Sequence, residues 1–310
     1  MTASKIIVDT DSGADDALAL LLLLGAAGMD ILAATTVAGN SIIENVTRNA
    51  CAILDLAGRR DIPVHSGQSG PISRPLAKAV IHGEHGIEGI DMRGTRYALD
   101  SLAADKIIEI VRANPGEIRL LAIGPLSNIA RAFLKDPQLP GLIRDIVIMG
   151  GAINVCGNMS RVAEFNFFID PEAADIVLRA PLKKTLIPLD PCMNTALPLD
   201  FFESLKGAPL HGPMTAMMTH FIEEMTRKRG AQGAMVYDAI AAFYLIDPTA
   251  FTLVDMDIVV ETKGAHTAGM SIAEKREKAP QTPNVCVAMA VDPEKFKKAL
   301  SAALLRAGSA

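Results

Sequence analysis

The chain has 310 residues, half of them hydrophobic, with 35 acidic and 30 basic side chains and a formal net charge of −5. Its positive mean hydropathy supports a large core, and its basic residues form no long run, so no nucleic acid or anionic membrane partner is expected. The apolar stretch 17–29 has only 13 residues, against the roughly 20 that cross a bilayer.

Strand-like and helix-like runs alternate through the first two-thirds. Residues 6–9 form a short apolar run of the kind a buried parallel strand shows, and an Ala/Leu-rich helix is predicted from Asp15 to residue 24. The β-branched run 31–37 predicts a second strand, 42–56 a helix and 63–65 a third short strand. Residues 100–114 are amphipathic, 118–123 form an apolar run ended by Gly124-Pro125, 126–134 are helical and 145–149 strand-like. Pro171 starts another helix, since proline is tolerated in a first turn, and 182–189 is again strand-like. The tail is predicted to hold a pair of strands, 253–261 and 284–291, with Asp292 capping a C-terminal helix. Continuous apolar strands separated by helices imply an α/β fold with a mostly parallel open sheet, helices on both faces and a Rossmann-like core. No linker, low-complexity segment or repeat divides the sequence, so residues 1–310 read as one domain. Insertions at 66–96, 150–170 and 188–198 follow candidate strands, and open α/β sheets bind ligands beyond the strands' carboxyl ends.

Residues 1–4 lead straight into the first strand and leave no room for a signal peptide's hydrophobic region. Cys51, Cys156, Cys192 and Cys286 form no C-x-x-C pair. A cytoplasmic protein with reduced thiols and no zinc site is expected.

The stretch KIIVDTDSGADDALAL, residues 5–20, carries most of the chemistry. Aspartate suits a helix's first turn, where the dipole and free N–H groups favour negative charge, and for Asp15 or Asp16 alone that plain reading suffices. Four aspartates in eight residues, Asp9, Asp11, Asp15 and Asp16, ask for more. Brought into one cleft they repel, and must take up protons or share a cation. Hard oxygen ligands on a Gly-containing loop suit Ca²⁺ or Mg²⁺, and a metal-bound water beside a spare carboxylate is a hydrolytic centre.

Four further segments stand out. Val37-Ala38-Gly39-Asn40 ends the second strand, where an Asn after Gly reads by itself as a turn residue. His82-Gly83-Glu84-His85-Gly86 is a loop whose histidine reads as solvated. Gly124-Pro125-Leu126-Ser127-Asn128 is a strand end followed by a helix capped by Ser127 or Asn128. Residues 149–174 hold Asn158, Glu164 and Asn166 beside the apolar Phe165 and Phe167. Amides and a carboxylate in an otherwise apolar pocket are what a sugar's hydroxyls need.

Together these segments resemble the inosine-uridine-preferring nucleoside hydrolases, whose motifs DTDxGxDDAxAL, VAGN, HGxxG, GPL[TS]N and MGG…GN…AEFN…DPEAA are matched in order. The resemblance spans residues 6 to 248 and implies that family's fold. It implies Ca²⁺ held by Asp11, Asp16, Asp238 and the Ile123 carbonyl, with Asp11 also the general base. Asp15 is implied to accept from the ribose 2′-hydroxyl, and Asn158, Glu164, Phe165 and Asn166 to line the ribose site. Asn40 is implied to face the site and His82 to lie near the base. One position departs from the family. Where relatives read V-H-D-A, this chain has Val236-Tyr237-Asp238-Ala239, so Tyr237 stands where a histidine helps the base leave. Met225, Arg227 and Arg229 lie just upstream, in a region that reaches over the base in relatives, and the sequence assigns none of them.

The expected activity is hydrolysis of the N-glycosidic bond of ribonucleosides to ribose and free base, by a homodimer or homotetramer acting on a small-molecule nucleoside. Two other readings compete. Asp9-Thr10-Asp11 after a strand superficially fits the D-x-D loop of haloacid-dehalogenase-type phosphatases, with Asp9 as nucleophile, but that leaves Asp15, Asp16 and the AEFN segment unexplained. A non-catalytic nucleoside-binding protein would account for the missing histidine, but not for retention of the metal aspartates.

Overall fold

The structure is a computed structural model that describes residues 3–77, 85–90, 95, 102–277, 279 and 282–308. In chain order its elements are β1 (Ser4–Thr10), α1 (Ala14–Gly25), β2 (Met29–Thr36), α2 (Ile43–Leu56), β3 (Val64–Ser66), α3 (Ala103–Ala113) and β4 (Arg119–Ala122). There follow α4 (Ser127–Lys135), β5 (Asp145–Met149), α5 (Phe165–Ile169), α6 (Pro171–Arg179), β6 (Lys184–Ile187), α7 (Leu189–Cys192), α8 (Leu199–Ser204) and α9 (His211–Arg229). The chain closes with α10 (Tyr237–Ile246), β7 (Phe251–Met256), β8 (Ile258–Val260), β9 (Ser271–Ala273), β10 (Val285–Val291) and α11 (Pro293–Leu304).

Eight strands form one sheet in the order β3-β2-β1-β4-β5-β6-β10-β7, parallel throughout except for the antiparallel β10–β7 edge pair. From β1 the chain builds outward to β2 and β3, then places β4 on β1's other side. The order thus reverses between β1 and β4, and in open α/β sheets the crevice beyond the carboxyl ends at such a reversal is where ligands bind. Alternation along β1 sends Ile6 and Val8 into one core and Ile7 into another. The sheet is therefore apolar on both faces, as the unbroken hydrophobic runs require. Helix α1 is buried on nearly every side, which its all-round Ala/Leu composition permits.

Two expectations are corrected. The predicted strand 253–261 breaks at Asp257: β7 stays in the main sheet, while β8 pairs with β9 in a separate two-stranded sheet. Asn284 explains the break, since its side chain accepts from the Ile258 amide (3.0 Å) and donates to the Ile258 carbonyl (2.8 Å). A side chain thereby replaces the ladder bonds that a continuing strand would make. Second, neither Ser127 nor Asn128 caps α4, whose N-cap is Leu126 with no side-chain cap. The Ser127 hydroxyl donates to Asp170, and the Asn128 amide donates to Asp9 (2.8 Å) and to the Thr36 carbonyl (2.9 Å). Both side chains tie elements together across the carboxyl end of the sheet.

Candidate active site

The loop after β1 and the first turns of α1 and α10 meet at the crevice. Asp15 and Asp16 start α1 and Asp238 starts α10, and each can offer an oxygen within 4.8 Å of the other two. Two helix N-termini therefore point their positive ends at three carboxylates. All three are buried, as is Asp11, which lines the same cleft. Burial, then mutual repulsion, hold the Asp11 and Asp15 carboxyls above the usual carboxylate range, Asp15 at about 8. Asp238 is raised by burial and then by repulsion from Asp15, Asp16 and Asp11. Asp16 is raised by burial, although Thr10 Oγ1 (2.5 Å), the Gly13 amide (2.7 Å) and the Asn40 side-chain amide (3.2 Å) all donate to it. Carboxylates this close, with Asp11, Asp15 and Asp238 each raised by the charge of its neighbours, fit a divalent cation.

Asp11 sits between two glycines. A Cβ on Gly39 would lie 2.9 Å from the Asp11 Cγ and closer still to Oδ2, and one on Gly124 would lie 2.9 Å from the Asp11 amide. The Asn40 amide donates to Asp11 Oδ2 (2.8 Å). Next to Asp11, Ser12 adopts a positive φ of 38°, a region that non-glycine residues rarely visit. Asp9 faces elsewhere: its Oδ1 accepts from Thr35 (2.5 Å) and Asn128 (2.8 Å), and it does not line the cleft.

The cleft, with the solvent-open space at its mouth, spans about 470 Å³. Along with Asp11, Asp15 and Asp238 it is lined by Asn40, Ile123, Asn158, Glu164, Phe165, Asn166 and Tyr237, so the structure brings together ten of the twelve expected site residues on its walls. Asp16 lies just behind them, and His82 falls outside the described residues. The loop after β5 is held from within. Glu164 Oε1 accepts from the Asn166 amide (2.8 Å), and its Oε2 from Gly151 (3.0 Å) and Phe167 (3.2 Å), while burial raises the carboxyl to about 7. Asn158 Oδ1 accepts from the Phe165 amide (2.8 Å). The Asn166 side chain donates to the carbonyls of Ile123 (3.2 Å) and Met149 (3.1 Å). These contacts fix the three side chains before any ligand arrives.

The opposite wall belongs to α9. Phe221, Met225 and Arg229, spaced by four residues on one helical stripe, line the cleft with Met149 and Tyr237. Arg229 donates to the Asn158 carbonyl (3.2 Å), whereas Arg227 turns away to Glu224. Phe221 carries no motif in the sequence, whereas Met149 opens the MGG element. The four-residue stripe was the available signal for Phe221. Tyr237 is partly buried against the core, and burial raises its hydroxyl pKa despite the nearby Arg229, so it is a neutral donor throughout the physiological range.

Residues 6–298 match the family model described as inosine-uridine preferring nucleoside hydrolase. The chain is 37% identical over 302 residues to the non-specific ribonucleoside hydrolase RihC of Salmonella newport, covering 96% of this chain and 97% of that protein. It is 35% identical over 301 residues to an uncharacterized protein of Schizosaccharomyces pombe, with the same coverage of each. Among solved structures, the purine-preferring ribonucleoside hydrolase from Gardnerella vaginalis superposes with a TM-score of 0.92 at 30% identity, over 98% of this chain and 99% of that one. A plant nucleoside hydrolase gives 0.91 at 28% identity, over 97% and 99%. The chain belongs to the inosine-uridine preferring nucleoside hydrolase family, and is a hydrolase acting on N-glycosidic bonds.

Proposed function

We propose that this chain, as one domain over residues 1–310, is a Ca²⁺-dependent ribonucleoside hydrolase that releases ribose and free base. The observation that carries this reading is a cleft with two chemistries on its walls, a cluster of buried carboxylates and a set of amides among aromatic and Met side chains. Asp11, Asp16, Asp238 and the Ile123 carbonyl are assigned to the cation, whose charge when bound makes a neighbouring water easier to deprotonate. Asp11 takes the proton from the attacking water, Asp15 accepts from the ribose 2′-hydroxyl, and Asn158, Glu164, Phe165 and Asn166 hold the sugar. Asn40 positions Asp11 and Asp16. Breaking the glycosidic bond builds positive charge on the sugar, which the carboxylate cluster stabilises, while the base departs toward Tyr237 and the α9 stripe. His82 remains assigned to the base side. The phosphatase alternative needs an exposed Asp9, but Asp9 is buried and bonded away from the cleft. The proposal extends to a cytoplasmic homodimer or homotetramer taking a nucleoside, with no nucleic acid or membrane partner. Among the described residues no helix is long and apolar enough to cross a membrane.

Two measurements test it. Purified enzyme given purine and pyrimidine ribosides should release reducing sugar and free base, and chelation should stop it. No turnover on any riboside would overturn the reading. The second measurement is Tm against pH. The cluster's carboxyls have higher pKa values folded than unfolded: Asp15 rises from 3.8 to about 8 and Glu164 from 4.5 to about 7. Such groups bind protons more tightly in the native state, so their stabilisation is complete below the unfolded value and lost as pH rises through the folded one. Metal-free Tm should therefore fall from pH 4 to 8, and Ca²⁺, which binds the ionised form, should raise Tm more at pH 8 than at pH 5. A Tm insensitive to Ca²⁺ at both pH values counts against the cation assignment.

Tyr237 is testable through the leaving group. A phenol held neutral can donate a hydrogen bond to a departing base but cannot supply the near-neutral proton that imidazole does. p-Nitrophenyl riboside, whose leaving group needs little protonation, should be cleaved faster than inosine. Tyr237→Phe should lower kcat/KM for inosine by about tenfold, the scale of one hydrogen bond to developing charge, and leave the activated substrate within about twofold. Equal losses on both substrates would make Tyr237 a packing residue.

A further inference from the structure

Asn49 lies on α2, outside every motif described above, and its side chain is buried beneath the cleft rather than in its wall. Its Nδ2 donates two hydrogen bonds, to the Ser12 carbonyl (3.1 Å) and to the His85 carbonyl (2.9 Å). Both partners are obligate acceptors, so the nitrogen must face them and the amide orientation is fixed. Ser12 is the one non-glycine residue with positive φ among the described residues, and its peptide groups are gripped from both sides. Asn49 holds its carbonyl, while its amide donates to Thr10 Oγ1 (3.0 Å), which in turn donates to Asp16 Oδ1 (2.5 Å). His85-Gly86 closes over the same amide: a Cβ on Gly86 would lie 3.1 Å from Asn49 Nδ2. Asn49 thus ties the turn between Asp11 and Gly13 to His85.

We propose that Asn49 is a positioning residue, which holds the left-handed turn at Ser12 and thereby aims Asp11 on one side and Asp15 and Asp16 on the other. Its second hydrogen bond sets how far the 85–86 stretch stands from that turn. Without the amide, Ser12 relaxes toward negative φ, because an L side chain disfavours the left-handed region. The Asp11 carboxylate then leaves the slot between Gly39 and Gly124. The consequence for catalysis rests on the general-base role proposed above for Asp11 and that for cation binding on the ligand assignment proposed with it, but the consequence for the turn does not.

The test is a double-mutant cycle between positions 49 and 12, with glycine as the conformational rescue. Asn49→Ala removes the donor, and Asn49→Asp keeps the shape while setting a carboxylate against two carbonyl oxygens. Both should lower kcat by tenfold or more with KM changed less than threefold, and weaken Ca²⁺, titrated calorimetrically without nucleoside, by about tenfold. Ser12→Gly alone should stay within threefold of the parent, since glycine adopts φ near +40° without strain. Combined with Asn49→Ala it should restore most of the lost Ca²⁺ affinity and kcat. A merely structural Asn49 would give losses that follow Tm and that Ser12→Gly does not relieve, and strictly additive losses would overturn the proposal. If Asn49→Ala does not fold, the soluble isostere Asn49→Asp carries the same cycle. If neither Asn49 variant folds even with Ser12→Gly, the role is structural and the proposal fails. If no riboside is turned over by the parent, the calorimetric arm still decides about Asn49.

Discussion

Asp11→Ala should abolish turnover, lowering kcat by about a thousandfold or more, the range that removal of a general base gives, while leaving the metal-free fold at least as stable. The two halves of that expectation come from the same environment. Asp11 is buried, its carboxyl is raised by burial and by Asp16 and Asp15, and its main stabilising contact is the Asn40 amide at 2.8 Å. Removing it relieves repulsion among the remaining carboxyls at the cost of one hydrogen bond, so metal-free Tm should hold or rise slightly near pH 8. The increase in Tm on adding Ca²⁺ should shrink markedly in the same variant. Steady-state kinetics, with thermal melts with and without Ca²⁺, check both halves. An Asp11→Ala enzyme with kcat near the parent's would show that another group takes the proton. Normal Ca²⁺ stabilisation in that variant would leave the ion to Asp15, Asp16 and Asp238, the three carboxylates whose oxygens converge within 4.8 Å.

That closest trio exposes the limit of what the sequence could say. The spacing D-x-D-x-G-x-D-D announces acids at a strand end and at a helix start, and β1 and α1 occur there. The continuous apolar runs likewise gave the parallel sheet, because a strand buried on both faces needs apolar residues at consecutive positions. What spacing does not carry is which oxygen turns which way. Asp16 is both helix cap, through the Gly13 amide, and member of the cluster, so the structural and chemical readings of one aspartate are both correct. Glu164 likewise caps α5 with the carboxylate that lines the cleft. Asn128 reads as a helix cap from its neighbours alone. Only the return of the chain across the sheet shows that it joins Asp9, Thr36 and the Gln68 amide. Asn49 was illegible for a related reason: it acts on segments packed against it from other parts of the chain, and it sits in no local pattern that demands its type. The break at Asp257 has the same origin, since Asn284 supplies it from 26 or 27 positions away.

Gly39→Ala should cost about a hundredfold in kcat/KM, although it adds one methyl group at a position that reads in sequence as an ordinary turn. Gly39 is not in the left-handed region, so alanine meets no backbone penalty there, and any effect must come from what the new Cβ touches. It would lie 2.9 Å from the Asp11 Cγ and 3.0 Å from the Pro125 Cδ. Pro125 is fixed by its ring, so the Asp11 carboxylate has to yield, and with it the hydrogen bond from the Asn40 amide. A displacement of about 1 Å in a reacting group is enough for a hundredfold loss, and overpacking at such a site costs roughly 1–3 kcal/mol of stability. The fall should appear mainly in kcat, with weaker Ca²⁺ binding, since the displaced group is the proposed base and ligand and not a base-recognition residue. The discriminating control is to remove the obstacle: in an Asp11→Ala background, adding Gly39→Ala should change Tm by much less than it does in the parent. If the methyl costs the same stability whether or not the Asp11 side chain is present, the glycine serves the turn and not the carboxylate. A Gly39→Ala enzyme with parental kcat would refute the cradle around Asp11 outright.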